Sequence, residues 1–148
     1  FGMRAMMSLR LDKFFGSWLS EFSPDYTAAE TGMGRFINFK KDVDFIGRTA
    51  AEAERETPPE RQLCAFEVDI NDADVVAYEP VFIDGQVQGF CTSGGFAHHS
   101  AKSIALALIP RAKVKEGLQV EIEILGEMRS AKLMTTPPFD ADGARMRG

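Results

Sequence analysis

The sequence predicts a mainly β fold: a small antiparallel six-stranded β-barrel preceded by two short α-helices. Three observations carry this. From Arg61 onward the apolar period changes to two, the spacing of a strand with one buried face. Asp84-Gly85 separates two short apolar runs, and Asp-Gly is a favoured two-residue hairpin turn because both central positions need positive φ. About six short strands then fall within some 75 residues, the spacing of a small barrel or sandwich.

The elements follow in order. Met3, Met7, Leu11, Phe14 and Trp18 lie near one helical face, widened by Met6 and Leu9. The spacing predicts a helix over residues 2–13, ended near Gly16. A helix with so little polar surface needs a large apolar partner. Ser23-Pro24-Asp25 is a turn signal. Residues 32–39 read as a short strand or a close backbone approach. Residues 45–56 read as a second helix, with Asp44 as N-cap and Thr57-Pro58-Pro59 as its stop.

In the β half, Cys64, Phe66, Val68 and Ile70 share one face of a strand, with Glu67 and Asp69 on the other. Val81–Ile83 and Gln86–Cys91 flank the Asp-Gly turn. Residues 94–99, Gly-Gly-Phe-Ala-His-His, read as a glycine-relaxed loop. Ser103–Ile109 is apolar on both faces, so it is expected to be covered on both sides. Leu118, Val120, Ile122 and Ile124 alternate with Gln119, Glu121 and Glu123. Gly126-Glu127 turns the chain into Ser130–Met134, and a surface-running end follows. The expected division is 1–60, helical and irregular, and 61–148, the barrel.

Composition bounds the function. The chain has 148 residues, 45% apolar and 26% charged, enough to build a core without a metal or disulfide staple. Its net charge is −5, so the basic footprint of a nucleic-acid binder is absent. Cys64 and Cys91 match no ligand spacing and read as buried free thiols, suited to a reducing compartment. No window reaches the roughly 18 apolar residues of a membrane span, and no secretory-leader pattern is expected. The first residue is Phe rather than Met, which reads as a piece of something longer.

The words in the sequence are more specific than its pattern. Ser8-Leu9-Arg10-Leu11-Asp12 resembles the "SLRLE" of glycine-cleavage T-proteins (aminomethyltransferases). Asp44-Phe45-Ile46-Gly47-Arg48 resembles their "DFIGK". Glu79-Pro80-Val81, Asp84-Gly85, Gly89, Thr92-Ser93-Gly94 and Lys102-Ser103-Ile104-Ala105-Leu106 follow their barrel pattern in order. Lys13, Trp18, Pro138-Phe139-Asp140 and Ala144-Arg145-Met146-Arg147 resemble the folate-binding half of dimethylglycine and sarcosine dehydrogenases.

This resemblance implies the C-terminal portion of a tetrahydrofolate-dependent one-carbon (aminomethyl or methyl) transfer protein. In that family three lobes surround a channel that holds folate, and these residues would supply one wall. The implied partners are the missing N-terminal part of the same protein, folate and a small amine substrate. FAD enters only if a flavin domain lies upstream. The full-length protein is expected to be an aminomethyltransferase-like or demethylating enzyme, and this chain alone inactive. Cytoplasm is the expected location in a bacterium and the mitochondrial matrix in a eukaryote. Two departures stand out: Met6 occupies the place of a family arginine, and Ala144 that of a tyrosine. They favour the dehydrogenase branch, or a demethylase of another methyl donor such as a sulfonium compound. The remaining alternative is a non-catalytic structural or interaction module docking through its first helix.

Two residues are candidate folate or substrate contacts. Arg10 carries a guanidinium whose fork suits a carboxylate such as the folate glutamate tail; the structural alternative is a pair with Asp12 or a barrel carboxylate. His98 and His99 are the two histidines of the chain. No Cys or carboxylate stands at ligand spacing near them, so no metal site is expected. Neighbours in a strand face opposite ways, so only one would reach a channel. His98 is the candidate, set against a plain surface loop. No nucleophile–base pair is evident. Lys102 reads as pinning a neighbouring carbonyl or carboxylate. The acidic run Glu67–Asp74 reads as a solvated strand end.

Overall fold

A computed structural model describes residues 2–148. It holds a closed six-stranded barrel, every neighbouring pair antiparallel, in the order β1-β4-β3-β2-β5-β6. The strands are β1 (Arg61–Val68), β2 (Pro80–Ile83), β3 (Gln86–Ala97), β4 (Lys102–Pro110), β5 (Gln119–Ile124) and β6 (Glu127–Met134). Closure leaves the barrel without an open edge, which satisfies the backbone of short strands.

The helices are α1 (Met3–Leu11), α2 (Arg48–Glu56) and a single turn, α3 (Ala144–Arg147). The second helix starts three residues later than its sequence suggests. Gly47, at φ 88°, is its N-cap, and the Asp44 carboxylate instead accepts the N–H of Phe45. Residues 33–36 form a turn of 3₁₀ helix rather than a strand.

Two apolar clusters flank β4. Phe66, Val81, Cys91, Ala105, Ala107, Ile109, Ile122 and Ile124 belong to the larger one, built from alternate positions of the strands. Ala65, Ala97, Ile104 and Leu106 face the other way and are covered by Leu11 and Phe14. This explains the unbroken apolar run of β4: odd positions meet the barrel core and even positions meet the end of α1. The predicted stripe on α1 is only partly used. Leu11 is buried, but Met3, Met6, Leu9, Phe15, Trp18 and Leu19 stay exposed. Both cysteines are free and buried.

Gly94-Gly95 is not a loop. Both residues lie inside β3, which runs on to Ala97. A Cβ at position 94 would sit 2.6 Å from Val75 Cβ and 2.9 Å from the Ile104 carbonyl oxygen, so glycine lets the 69–79 connection cross directly over the strand. Gly95 has φ 139°, outside the range of ordinary residues. Low strand propensity is thus overridden by a close approach. His98 and His99 do lie in the turn beyond β3.

The β5–β6 turn centres on Leu125-Gly126, one residue earlier than expected, with φ 52° and 82°. An exposed leucine in the left-handed region costs about 1 kcal/mol, a cost asparagine largely avoids. Leu125→Asn is therefore expected to raise stability by roughly 0.5–1 kcal/mol, read as a higher urea midpoint at unchanged slope. A lower midpoint would show that the turn is not strained.

Candidate functional site

The site lies where α1 crosses the far half of β3. Beyond Phe90, β3 has outrun β2, its neighbour on that side. Helix α1 takes up the vacated place. The Ser8 hydroxyl donates to the Phe96 carbonyl at 2.8 Å and accepts the His98 N–H at 3.0 Å. One side chain thus makes both bonds that a strand partner would make.

Between α1, β3 and the 69–79 connection runs an open groove of about 520 Å³, within the size range of small-molecule sites. Met3, Met7 and Leu11 form its helical wall, Gly94 and Gly95 its floor, and Phe96 one side. Arg4, Ser8, Asp74 and His98 supply its polar groups. The glycine pair brings bare backbone to the floor, where side chains would otherwise fill the space. The ring of His98 meets the Phe96 ring edge-on at 4.9 Å. His99 points elsewhere, edge-on to Phe139 at 4.3 Å.

Arg10 is buried beneath this groove-forming helix. Its Nη1 donates to the Phe15 carbonyl at 2.9 Å and lies 3.5 Å from Glu21 Oε2. Its Nε and Nη2 make no hydrogen bond. Burial lowers the guanidinium pKa and Glu21 partly offsets this; arginine remains a cation throughout. The pair partner is neither Asp12 nor a strand carboxylate but a residue of the connecting segment.

The Glu21 carboxylate accepts from four donors. Oε2 accepts the Ser17 N–H and the Ser20 hydroxyl, both at 2.7 Å. Oε1 faces the hydroxyls of Thr92 and Ser93 at 2.6 and 2.5 Å. Thr92 also stands 3.0 Å from the Leu106 carbonyl, so its one proton is shared between two acceptors. Adjacent residues of a flat strand would point to opposite faces. A register shift between Cys91 and Ser93 breaks the alternation and lets both hydroxyls reach one carboxylate. Burial by itself raises the Glu21 pKa, but the bonds from Ser93, Thr92, Ser17 and Ser20 outweigh it and hold the group below its ordinary value.

Asp12 and Lys13 finish the helix. Asp12 is buried, and its Oδ1 accepts the Ser100 N–H at 3.1 Å. Lys13 donates to the carbonyl of Asp140 and pairs with its carboxylate at 3.2 Å. Elsewhere Lys102 pairs with Glu67 at 2.5 Å and Arg129 with Asp72 at 3.0 Å. Burial pushes the Cys91 thiol up to about 12, which leaves it inert. Among the described residues no group of three His, Cys, Asp or Glu could hold a metal ion. No described helix is long and apolar enough to cross a membrane.

Residues 61–140 match the family described as the glycine cleavage T-protein C-terminal barrel domain. The chain belongs to this family. As a T-protein barrel it has relatives in two groups. It is 34% identical over 147 residues to the mitochondrial dimethylglycine dehydrogenase of Mus musculus, covering 99% of the chain and 17% of that protein. It is 35% identical over 136 residues to an aminomethyltransferase of Symbiobacterium thermophilum, covering 92% of the chain and 36% of that protein. The T-protein barrel therefore spans well under half the length of these relatives. The fold also matches the crystal structure of the glycine cleavage system aminomethyltransferase T from Bartonella henselae, at TM-score 0.85 and 22% identity, over 95% of this chain and 39% of that one.

Sequence reasoning singled out Arg10 and His98. The structure puts His98 on the groove and Arg10 under it. It adds Arg4, Ser8 and Asp74 to the lining, and Glu21 behind it. Glu21 carried one weak signal: a lone carboxylate in the apolar stretch Trp18-Leu19-Ser20-Glu21-Phe22.

Glu21→Ala would leave the Arg10 cation buried without its counter-charge, a loss of about 3–5 kcal/mol. The folded-state pKa of Glu21 is lowered from 4.5. Its ionised form thus contributes stability above that pH, and the contribution fades as pH falls through the folded-state value. Urea midpoints from pH 7 to pH 3 should drop steeply in the parent and less so in Glu21→Gln. Equal pH slopes would show that Glu21 does not carry the acid sensitivity.

Proposed function

We propose that the chain is the C-terminal part of a tetrahydrofolate-dependent one-carbon transfer protein, in which the α1–β3 groove forms one wall of the folate site. One observation carries this reading. Where β3 runs on beyond its pairing with β2, a ligand-sized groove opens, floored by glycine backbone and lined by both apolar and ionic groups. The residues fit one side of such a ligand. Met7, Leu11 and Phe96 offer apolar contact to a flat ring system, while Arg4 and His98 offer N–H donors to its carboxylates. Tetrahydrofolate, when bound, would supply the nitrogen that accepts the one-carbon unit.

In this reading His98 is a rim contact. Arg10 acts from below, through Glu21, by fixing β3 against the helix. Residues 1–60 are the end of a central folate-binding region and residues 61–148 the barrel. Positioning of amine and folate in a closed channel provides the catalysis, and the other wall comes from the preceding part of the same protein. The bare apolar surface of Phe15, Trp18 and Leu19 suits that partner, because apolar patches of this kind mark contact sites. The relatives favour a dimethylglycine dehydrogenase-like donor, a small methylated amine. FAD belongs to the protein only if a flavin domain precedes these residues. The expected location is the cytoplasm of a bacterium or the matrix of a mitochondrion.

Calorimetry decides the reading. The full-length protein should bind tetrahydrofolate and turn over with a small amine. The 148 residues alone should bind it at least tenfold more weakly, with no turnover. Arg4→Ala in the full-length protein should weaken folate binding by about 1.5–3 kcal/mol, the worth of a charge-assisted hydrogen bond. Full affinity in the isolated chain would overturn the single-wall arrangement. Absence of folate binding by the full-length protein would overturn the function.

The apolar surface also favours a second reading, an interaction module. A clean monomer of the isolated chain by light scattering, with Trp18 emission already that of a buried indole, would count against it.

A further inference from the structure

We infer that the segment Phe139–Asp140 is a positioning strap for the groove, holding the end of α1 and the histidine turn at a fixed separation. This rests on the folate reading for its purpose but on independent contacts for its existence.

Two sides of the groove lie outside the strand ladder, α1 and the turn that follows β3. Inside, Ser8 joins them through the backbone of Phe96 and His98. Outside, the joint is made by Asp12 and Lys13, the two residues that follow the groove-lining Leu11. Asp12 binds the Ser100 N–H through its carboxylate and the Phe139 N–H through its carbonyl, the latter at 3.2 Å. Lys13 holds Asp140 twice, through carbonyl and carboxylate. That pair is well covered, at 12% and 5% side-chain exposure, so it is not a loose surface bridge.

Of the two residues, Phe139 also grips the turn, while Asp140 holds the chain end. The Phe139 ring meets His99 edge-on at 4.3 Å, with the Arg145 guanidinium 5.3 Å from its centre on the α3 side. Asp140 takes φ 45°, and its carboxylate accepts the Arg145 N–H at 3.1 Å while its carbonyl accepts the Gly143 N–H at 2.9 Å. The single turn α3 is thereby folded against the strap. One dipeptide thus touches Asp12 and Lys13 on one element and His99 on another. Neither element touches the strap by chance of sequence, since some 40 residues and 127 residues separate the partners along the chain.

The consequence is geometric. His98, the groove-lining histidine, is held between Ser8 on one side and His99 on the other, so the strap fixes where its ring stands relative to Arg4. Releasing the strap should let the turn swing while the barrel stays intact, because none of the strap's own contacts is made with a strand residue.

Hydrogen exchange on the full-length protein tests this. In the double variant Phe139→Ala with Asp140→Ala, the amides of His98 and Ser100 should exchange at least tenfold faster. Amides of β5 and β6 should be unchanged, which also shows that the barrel has folded. A variant that stops after Thr136 should behave the same way. Unchanged exchange at His98 and Ser100 would overturn the strap, whatever the protein binds. In the full-length protein the double variant should raise the KM for tetrahydrofolate about tenfold and change kcat less than twofold. Loss of kcat at constant KM would overturn the positioning role. Should the parent protein bind no folate, the functional reading fails, while the exchange result still decides the strap.

Discussion

The carboxylate of Glu21 ties the molecule together. It is fully buried, yet it receives two hydroxyls from the barrel, a hydroxyl and an N–H from its own segment, and the Arg10 cation from the helix. A buried charge persists only when its lone pairs are all engaged. Here the engagement reaches three parts of the chain at once. The helix, the connecting segment and β3 are therefore fixed to each other by one group, and the groove inherits its shape from that arrangement. The register shift in β3 is what makes it possible, since a regular strand would offer Glu21 only one of the two hydroxyls.

A second constraint is the double duty of β4. Its odd positions close the barrel and its even positions seat Leu11 and Phe14. Helix α1 packs chiefly on β3, and its last residue, Leu11, reaches the even positions of β4. Much of its surface stays bare, along with Trp18 and Leu19. The helix is thus anchored at one end by apolar contact and by Glu21, and it presents its remaining side to the groove and to whatever adjoins it. The groove is bounded by the barrel on one side and open on the other.

How far the site could be read from sequence differs residue by residue. His98 was legible because its turn follows a strand and histidines are scarce in this chain. Arg10 was legible as a charge among methionines, but its partner was not. Glu21 lies eleven residues on, outside helical spacing, and only the path of the connecting segment brings it back. Ser8 falls outside the apolar stripe of the helix, and its role depends on β3 outrunning β2. Gly94-Gly95 suggested a loop because glycine disfavours strands. The overriding reason, Val75 pressed against the strand, is a contact between residues nineteen apart that no local pattern encodes.

By itself the sequence determined the local elements: six strands from their period, one hairpin from Asp84-Gly85, buried thiols, and a helix ahead of the barrel. These depend on neighbours two to four residues apart, and alternation within a short window is enough to specify them. It also carried the family's words, and so the expectation of a folate wall. Tertiary structure alone decided the order of strands around the barrel, the slip in β3 register, the meeting of Glu21 with Arg10, Thr92 and Ser93, and the strap from Asp140 to Lys13. Each of these joins residues far apart in the chain through short-ranged forces. Their energies exist only once the backbone has brought the partners within a few ångströms, and that placement is a property of the whole fold.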